Sequence, residues 1–479
     1  MAPLHRTGGV RNPSLHRRRP EPLLNATARR TLFSLLALMS LAAMAREPLP
    51  GGATTNTTRL GMHAYSQAVA NLPRAAGLDF TLGRAFFERL WVAAPASTEA
   101  ADGLGPLYNA RACSQCHPRH GRGNPFRDDD AAGLALVAHL ALPDGEPDPL
   151  YGRQLQTAAI AGHAAEGRLD ITHHDMPITL SDGEVIRLRA PEYRIGEPAY
   201  GEPDAGTGIS PRLASPLIGL GLLELIPETE MRAQADPDDA DGDGISGRVN
   251  TVWSPARQAM AVGRFGWKAG QASIDEQNQA ALRNDIGLSS PLHPDGAGDC
   301  TARQPDCRAA PNGNSPRYDK LEAHAVVTDL LRDYVRNLAP PARPADIDTR
   351  DGERLFTDIG CATCHRPHWR TADAPDRPHL GGQDIWPYTD LLLHDMGEAL
   401  ADHRPDGDAD GNEWRTPPLW GIGRSRTVSG HDRFLHDGRA HGLLEAVLWH
   451  GGEATAARDR VIAMSAPQRR QLIRFLEFL

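Results

Sequence analysis

The chain has 479 residues, with 51 Lys and Arg against 61 Asp and Glu, a formal net charge of −10 and an apolar fraction of 40%. That length provides for about two to three buried cores, the acidic balance excludes a nucleic-acid binder built on a basic patch, and the apolar-periodic stretches exclude a disordered chain. Aromatic residues make up only 5% of the sequence, so something besides Phe, Tyr and Trp must help to fill the cores.

Residues 1–30 carry seven arginines and a single acid, Glu21, and Leu32–Ala45 then runs without a charge to Ala43-Met44-Ala45. A basic start, a short apolar run and a small-residue site read as a signal peptide over 1–45 and export to the periplasm. The alternatives are a buried N-terminal helix or a retained anchor. Without the leader, 44 basic residues face 60 acidic ones, a net charge of −16, and no later run is long enough for a stable membrane span.

Residues 80–93 place Phe80, Leu82, Phe86, Phe87, Leu90 and Trp91 at helical spacing. Next comes Cys113-Ser-Gln-Cys116-His117, and then a Gly- and Pro-rich stretch of about 125–262 with alternating runs such as Val185–Arg189, read as loops, hairpins and short helices. Within it, Asp239, Asp241 and Asp243 followed by Gly244 match the first half of a calcium loop, though Asn250 stands where a closing Glu belongs. Calcium and a solvated acidic turn are the two readings; Asp406, Asp408 and Asp410 repeat the pattern more weakly. Cys300 and Cys307 bracket a small polar loop that suits a disulfide, with a free pair or a metal site as alternatives. Leu321 to Leu338 repeat at three and four, an amphipathic helix stopped by Pro340-Pro341. A new unit starts near Asp346, where a helix over Arg350–Ile359 leads to Cys361-Ala-Thr-Cys364-His365, and a helix over Ala466–Leu479 ends the chain.

C-x-x-C-H is the attachment sequence of c-type haem: two thiols form thioethers to the vinyl groups and the adjacent imidazole reaches the iron. At this chain's Cys and His frequencies chance supplies on the order of 0.003 such pentapeptides, and two are present. A zinc site or a thioredoxin-like pair is the rival reading. The two pairs lie 245 positions apart, and neither rival needs a His directly after each pair. Two covalently bound c-type haems are therefore expected, at Cys113, Cys116 and His117 and at Cys361, Cys364 and His365. The expected fold class is mainly α: two cytochrome c-like haem domains, 46–345 and 346–479, the first carrying the loop- and hairpin-rich insertion at about 125–262.

Further motifs resemble known proteins. Arg415-Thr-Pro-Pro-Leu419, Phe434-Leu-His-Asp-Gly438, Leu443-Leu-Glu-Ala-Val447, Thr389-Asp390 and His394-Asp-Met-Gly397 are similar in order and spacing to the bacterial di-haem cytochrome c peroxidases. Gly105–Arg111, Gly219–Glu224, Asp241–Arg248, Gly263–Ala269 and Trp449–Ala454 are closer still to their sister family, the di-haem oxidoreductases, also described as thiol oxidoreductases. A methylamine-dehydrogenase-maturing di-haem enzyme is a further relative of that group.

The resemblance implies roles. His117 and His365 are the expected proximal ligands. The peroxidases place a Met sixth ligand just after the Leu443–Val447 segment, and counting along this chain lands on His450; the alternatives are Met396 as the ligand and a His450 that merely bonds a carbonyl at a helix end. A second imidazole in place of Met removes the ligation that raises a cytochrome's potential. Ser273–Gln277 with Ile286-Gly287 resembles the segment bearing the peroxidases' catalytic glutamate, which makes Glu276 the acid–base candidate, assisted by Gln277; the alternative is a solvated helix glutamate. Gln154 and Gln156 are further candidates to face the first haem. The implied function is a peroxidase-like oxidoreductase that reduces hydrogen peroxide at the N-terminal haem, with electrons from a periplasmic donor passing through the C-terminal haem. An electron-transfer cytochrome without catalysis and an oxidase of a protein or thiol partner are the alternatives.

Overall fold

The computed structural model describes residues 49–128, 131–345 and 347–479. The expected leader, 1–45, lies outside the described residues, as does Asp346, the expected start of the second unit. The apolar spacing that predicts a helix over 80–93 winds Gly77–Glu88 into helix α1, which buries Gly83 and Phe87. The first C-x-x-C-H forms a single helical turn, α2 (Cys113–Cys116), and the backbone leaves helical geometry at His117.

Extended segments follow. Strand β1 (Leu136–Ala141) waits some seventy residues for its partner, while β2 (Arg168–Thr179) and β3 (Val185–Gly196) form a ribbon of twelve antiparallel pairs. Strand β4 (Gly208–Leu213) then returns to pair with β1, and β5 (Thr251–Ser254) with β6 (Ala259–Val262) makes a short hairpin. The tip of the β2–β3 ribbon reaches far across the molecule. Ser181 N donates to Ile462 O at 3.0 Å, its Oγ donates to Met464 O at 2.7 Å, and Asp182 pairs with Arg469.

Helix α3 (Ile274–Ala281) is capped by Ser273, whose Oγ accepts from Glu276 N. It continues into a π turn over Leu282–Ile286. Helix α4 (Ala325–Arg336) lies against α1, with Phe80 and Tyr334 rings 4.7 Å apart and Phe87 and Tyr334 5.7 Å apart. A Cβ on Gly83 would sit 2.3 Å from Leu330 O. Gly83→Ala is therefore expected to force the helices apart. The overpacking cost of about 1–3 kcal/mol exceeds the better helix propensity of Ala, about 0.5–1 kcal/mol, so the thermal midpoint should fall.

The second half opens on α5 (Arg350–Asp358). Gly360, with φ +95°, takes the left-handed turn that starts α6 (Cys361–Cys364), the second C-x-x-C-H turn. Strands β7 (Leu393–Asp395) and β8 (Glu413–Arg415) pair antiparallel. Helices α7 (Leu443–Leu448), α8 (Thr455–Ala463) and α9 (Ala466–Phe478) close the chain, α9 packing on α5 through Phe356 and Phe475, 5.4 Å apart. Residues 49–479 pack as one unit.

The expectation of a mainly α fold of two cytochrome c-like domains is overturned. Helix accounts for 30% and strand for 20%, and the strands form many small antiparallel sheets. Nor are the strands confined to 125–262: Trp369–Arg370 with Asp384–Ile385, β7 with β8, and Arg433–Phe434 with Ala440–His441 all flank the second motif. The physical reason is punctuation. With 47 Gly and 39 Pro, most helices end within one to three turns, and buried backbone groups find partners in two-stranded ladders instead. The Cys300–Cys307 disulfide is formed, with Cα atoms 5.9 Å apart. Among the described residues no helix is long and apolar enough to cross a membrane.

Candidate functional site: two cavities with a common wall

The first cavity, about 300 Å³, is lined by Cys113, Cys116 and His117 of the first motif and by Phe87 of α1. His117 Nδ1 lies 2.8 Å from Ser215 O. A carbonyl only accepts, so Nδ1 carries the proton and the Nε2 lone pair is free to bind a metal. Burial pulls His117 down to about 4, which keeps the ring neutral. Burial likewise pushes Cys113 up to about 12 and Cys116 well above its ordinary value, with Asp285 adding to both. Neutral buried thiols oppose the thioredoxin-like reading, which needs a depressed thiol pKa.

The same cavity has a polar side, formed by His139, Gln154, Gln277, Asn278, Asn284 and Asp285. Gln154 Nε2 donates to Asp285 Oδ1 at 2.7 Å and to Asn109 Oδ1 at 2.7 Å. Burial raises Asp285 to about 6 against the opposing bond from Gln154. Asp285 sits in the π turn after α3, a local geometry frequent at functional sites.

The second cavity, about 350 Å³, is lined by Cys361, Cys364 and His365 and by His394, Met396, His436 and His450. His365 Nδ1 lies 3.0 Å from Tyr388 O and His450 Nδ1 2.7 Å from Ala446 O, so each ring keeps a free Nε2. Burial pulls His365 down to about 4, with repulsion from His450 contributing. The other two histidines are otherwise engaged. His436 stacks on Trp414 at 3.9 Å and 9°. His394 is clasped by Asp390 at 2.8 Å and Glu453 at 2.7 Å; burial opposes its charge, but these partners hold its pKa well above the ordinary value.

The two cavities share a wall. Arg122, Trp267, Arg415, Pro417, Pro418 and Ile422 line both. Trp267 is fixed by Nε1 donating to Leu213 O at 2.8 Å. Arg415 donates from Nε to Gly266 O at 2.9 Å and from Nη1 to Thr416 O at 3.0 Å. Arg122 Nε and Nη1 and Trp420 Nε1 are buried without a hydrogen-bond partner among the described residues. Two thiols outside any disulfide and at least one imidazole Nε2 facing each cavity, with orphaned donors in the common wall, fit a haem in each.

The expected site residues fall on both sides of this boundary. Gln277 lines the first cavity and Glu276 does not. Glu276 is buried rather than solvated, and its carboxylate accepts from Ser254 Oγ and from the Ala256 and Ala272 amides, both at 3.2 Å. Gln154 reaches the cavity, whereas Gln156 turns away to donate to Asn284 O at 2.8 Å. In the acidic turn it is Asp236, Asp239 and Asp241 whose oxygens converge; Asp243 instead accepts from Ile245 N at 2.9 Å and borders the second cavity. Asp406 is a half-buried partner of Arg212, at 2.9 Å. Sequence reading missed Asp285, His139 and Arg122. Only Arg122 carried a signal, its place five residues after His117.

Two cofactor cavities set wall to wall, each built round its own Cys-Cys-His turn, define a two-centre oxidoreductase. The chain belongs to the family described as "di-haem oxidoreductase, putative peroxidase", whose model matches residues 47–129 and 153–479. No curated protein matches it.

Proposed function

We propose that this chain is a periplasmic di-haem c-type oxidoreductase that reduces hydrogen peroxide in the N-terminal cavity with electrons delivered through the C-terminal one. The observation that carries the reading is the asymmetry of two cavities with one common wall. The N-terminal cavity offers Gln154, Gln277 and an Asp285 carboxyl, while the C-terminal cavity offers two free imidazole nitrogens, one each from His365 and His450. Peroxide reduction consumes two electrons and two protons and yields two waters, so it needs a proton-holding group and an electron route at the same place. Burial raises Asp285 to about 6, so its carboxyl gains and loses a proton in the weakly acidic range. Trp267, in both walls, marks the route.

Cys113 and Cys116, and Cys361 and Cys364, would anchor the two haems by thioethers, with His117 and His365 as proximal ligands and His450 as the sixth ligand of the second. A bound haem supplies an iron that takes up and releases electrons. The chain itself fixes the imidazole tautomers through Ser215 O and Tyr388 O and excludes bulk water by burial. A mature charge of −16 suits a basic electron-donor protein.

His139, whose imidazole borders the N-terminal cavity, is the observation favouring a pure electron relay. EPR of the as-isolated and half-reduced protein separates the readings. One high-spin signal with peroxide turnover supports the peroxidase; two low-spin haems without turnover overturn it and leave the relay. His450→Met is expected to raise the midpoint potential of the C-terminal haem in a redox titration, because Met/His ligation favours the reduced iron.

A further inference from the structure

We infer that Arg122 is a carboxylate clamp shared by the two cofactors, its guanidinium pairing with a haem propionate from each cavity. The inference rests on the reading that both cavities hold haem. Arg122 lies five residues beyond His117, so the first motif carries it, and yet its side chain borders the second cavity as well. The guanidinium carbon is 5.4 Å from the centre of the Trp267 ring and 5.8 Å from that of Phe434, which lines only the second cavity.

A buried guanidinium normally finds a carboxylate. Arg122 is 7% exposed, and its Nε and Nη1 have no partner among the described residues. Its backbone N–H is taken up by Ser429 Oγ at 3.0 Å, which fixes the start of the side chain and leaves the head group free. Tyr65, which acts on it electrostatically, is a phenol that burial pushes up to about 12 and that donates to Gly421 O. It is therefore neutral and no counter-ion. Burial pulls Arg122 down to about 10 against the opposing effect of Tyr65, so it is still a cation at neutral pH. The other arginine of the common wall, Arg415, already spends Nε and Nη1 on backbone carbonyls.

The ligand class follows from the donor. A planar fork of five N–H groups matches carboxylates and can serve two at once from different edges. Haem brings carboxylates as its propionates. A single cation between two haems favours the reduced form of both, so its loss should be felt at both irons.

The test is a spectroscopic redox titration of the holoprotein. Arg122→Gln is expected to move both midpoint potentials in the negative direction, and Arg122→Lys, which keeps the charge, to move them less. A shift at one haem only, or at neither, overturns the shared clamp. Haem content, by mass and by the pyridine haemochrome spectrum of the wild type, is read in parallel. Two haems with no double shift defeat this inference alone, whereas fewer than two defeat the underlying reading as well. Should the glutamine variant not fold, resonance Raman of the wild type reports propionate hydrogen bonding directly. Bound propionates on both haems support the clamp, and free propionates on either one overturn it.

Discussion

Asp285→Asn is expected to slow peroxide turnover by about 10²–10⁴-fold, the usual worth of a positioned acid–base group, with two haems per chain retained. The carboxyl borders the N-terminal cavity and is held there by Gln154 Nε2 at 2.7 Å, a bond that an asparagine oxygen can still accept. The variant thus removes the titrating proton and leaves the shape. The pH profile provides a second check. Burial raises the pKa to about 6, so the proton is present below that value and lost above it. Wild-type turnover should decline as pH rises through about 6, and the variant should lack that limb. Stability carries the same sign. The folded chain holds this proton more tightly than the unfolded one, so the contribution is complete below the ordinary value of 3.8 and is lost as pH rises through about 6. Equal turnover in variant and wild type would dismiss the role.

Lys268→Met carries the largest expected stability cost, about 3–5 kcal/mol, the price of breaking a buried ion pair from one side. Lys268 is fully buried; its Nζ donates to Asp402 Oδ1 at 2.6 Å, Arg404 O at 2.8 Å and Asp410 O at 2.6 Å. Burial works against the charge on both partners, yet Arg212 and Lys268 together hold Asp402 below its ordinary value. Removing the ammonium leaves Asp402 with Arg212 at 3.6 Å and with Ser210 Oγ, and strands two carbonyls. Chemical denaturation of the holoprotein measures the loss. Adding Asp402→Asn should recover part of it, since the double variant no longer buries a carboxylate that has lost its closest cation.

Legibility from sequence followed the range of the interactions. The two C-x-x-C-H turns could be read because thioether and imidazole chemistry needs contiguous residues. Helices over Ala325–Arg336, Arg350–Asp358 and Ala466–Phe478 were readable because their apolar faces repeat within a few turns. Two-residue ladders such as Trp369–Arg370 with Asp384–Ile385 have no period to detect, which is why the fold was expected to be more helical than it is. Which of Glu276 and Gln277 faces the cavity turns on about 100° of helix rotation, which a family resemblance does not fix. The common wall was beyond reach, since Arg122, Trp267 and Arg415 come from three distant segments and meet only in the folded chain.

The β2–β3 ribbon has a mechanical meaning. Its base stands among residues near the first motif and its tip is fastened to α8 and α9 near the second, by Ser181 to Ile462 and Met464 and by Asp182 to Arg469. It ties the apolar cluster around Cys116, which its base joins through Leu169, Ile171 and Ile195, to the C-terminal helices. Under the proposed function, electron transfer between the two cavities falls off steeply as the gap between their centres widens. On the proposed electron route, a ribbon fastened at both ends, with Leu180 and Leu188 packed in the same apolar cluster as Trp267, would hold that gap constant.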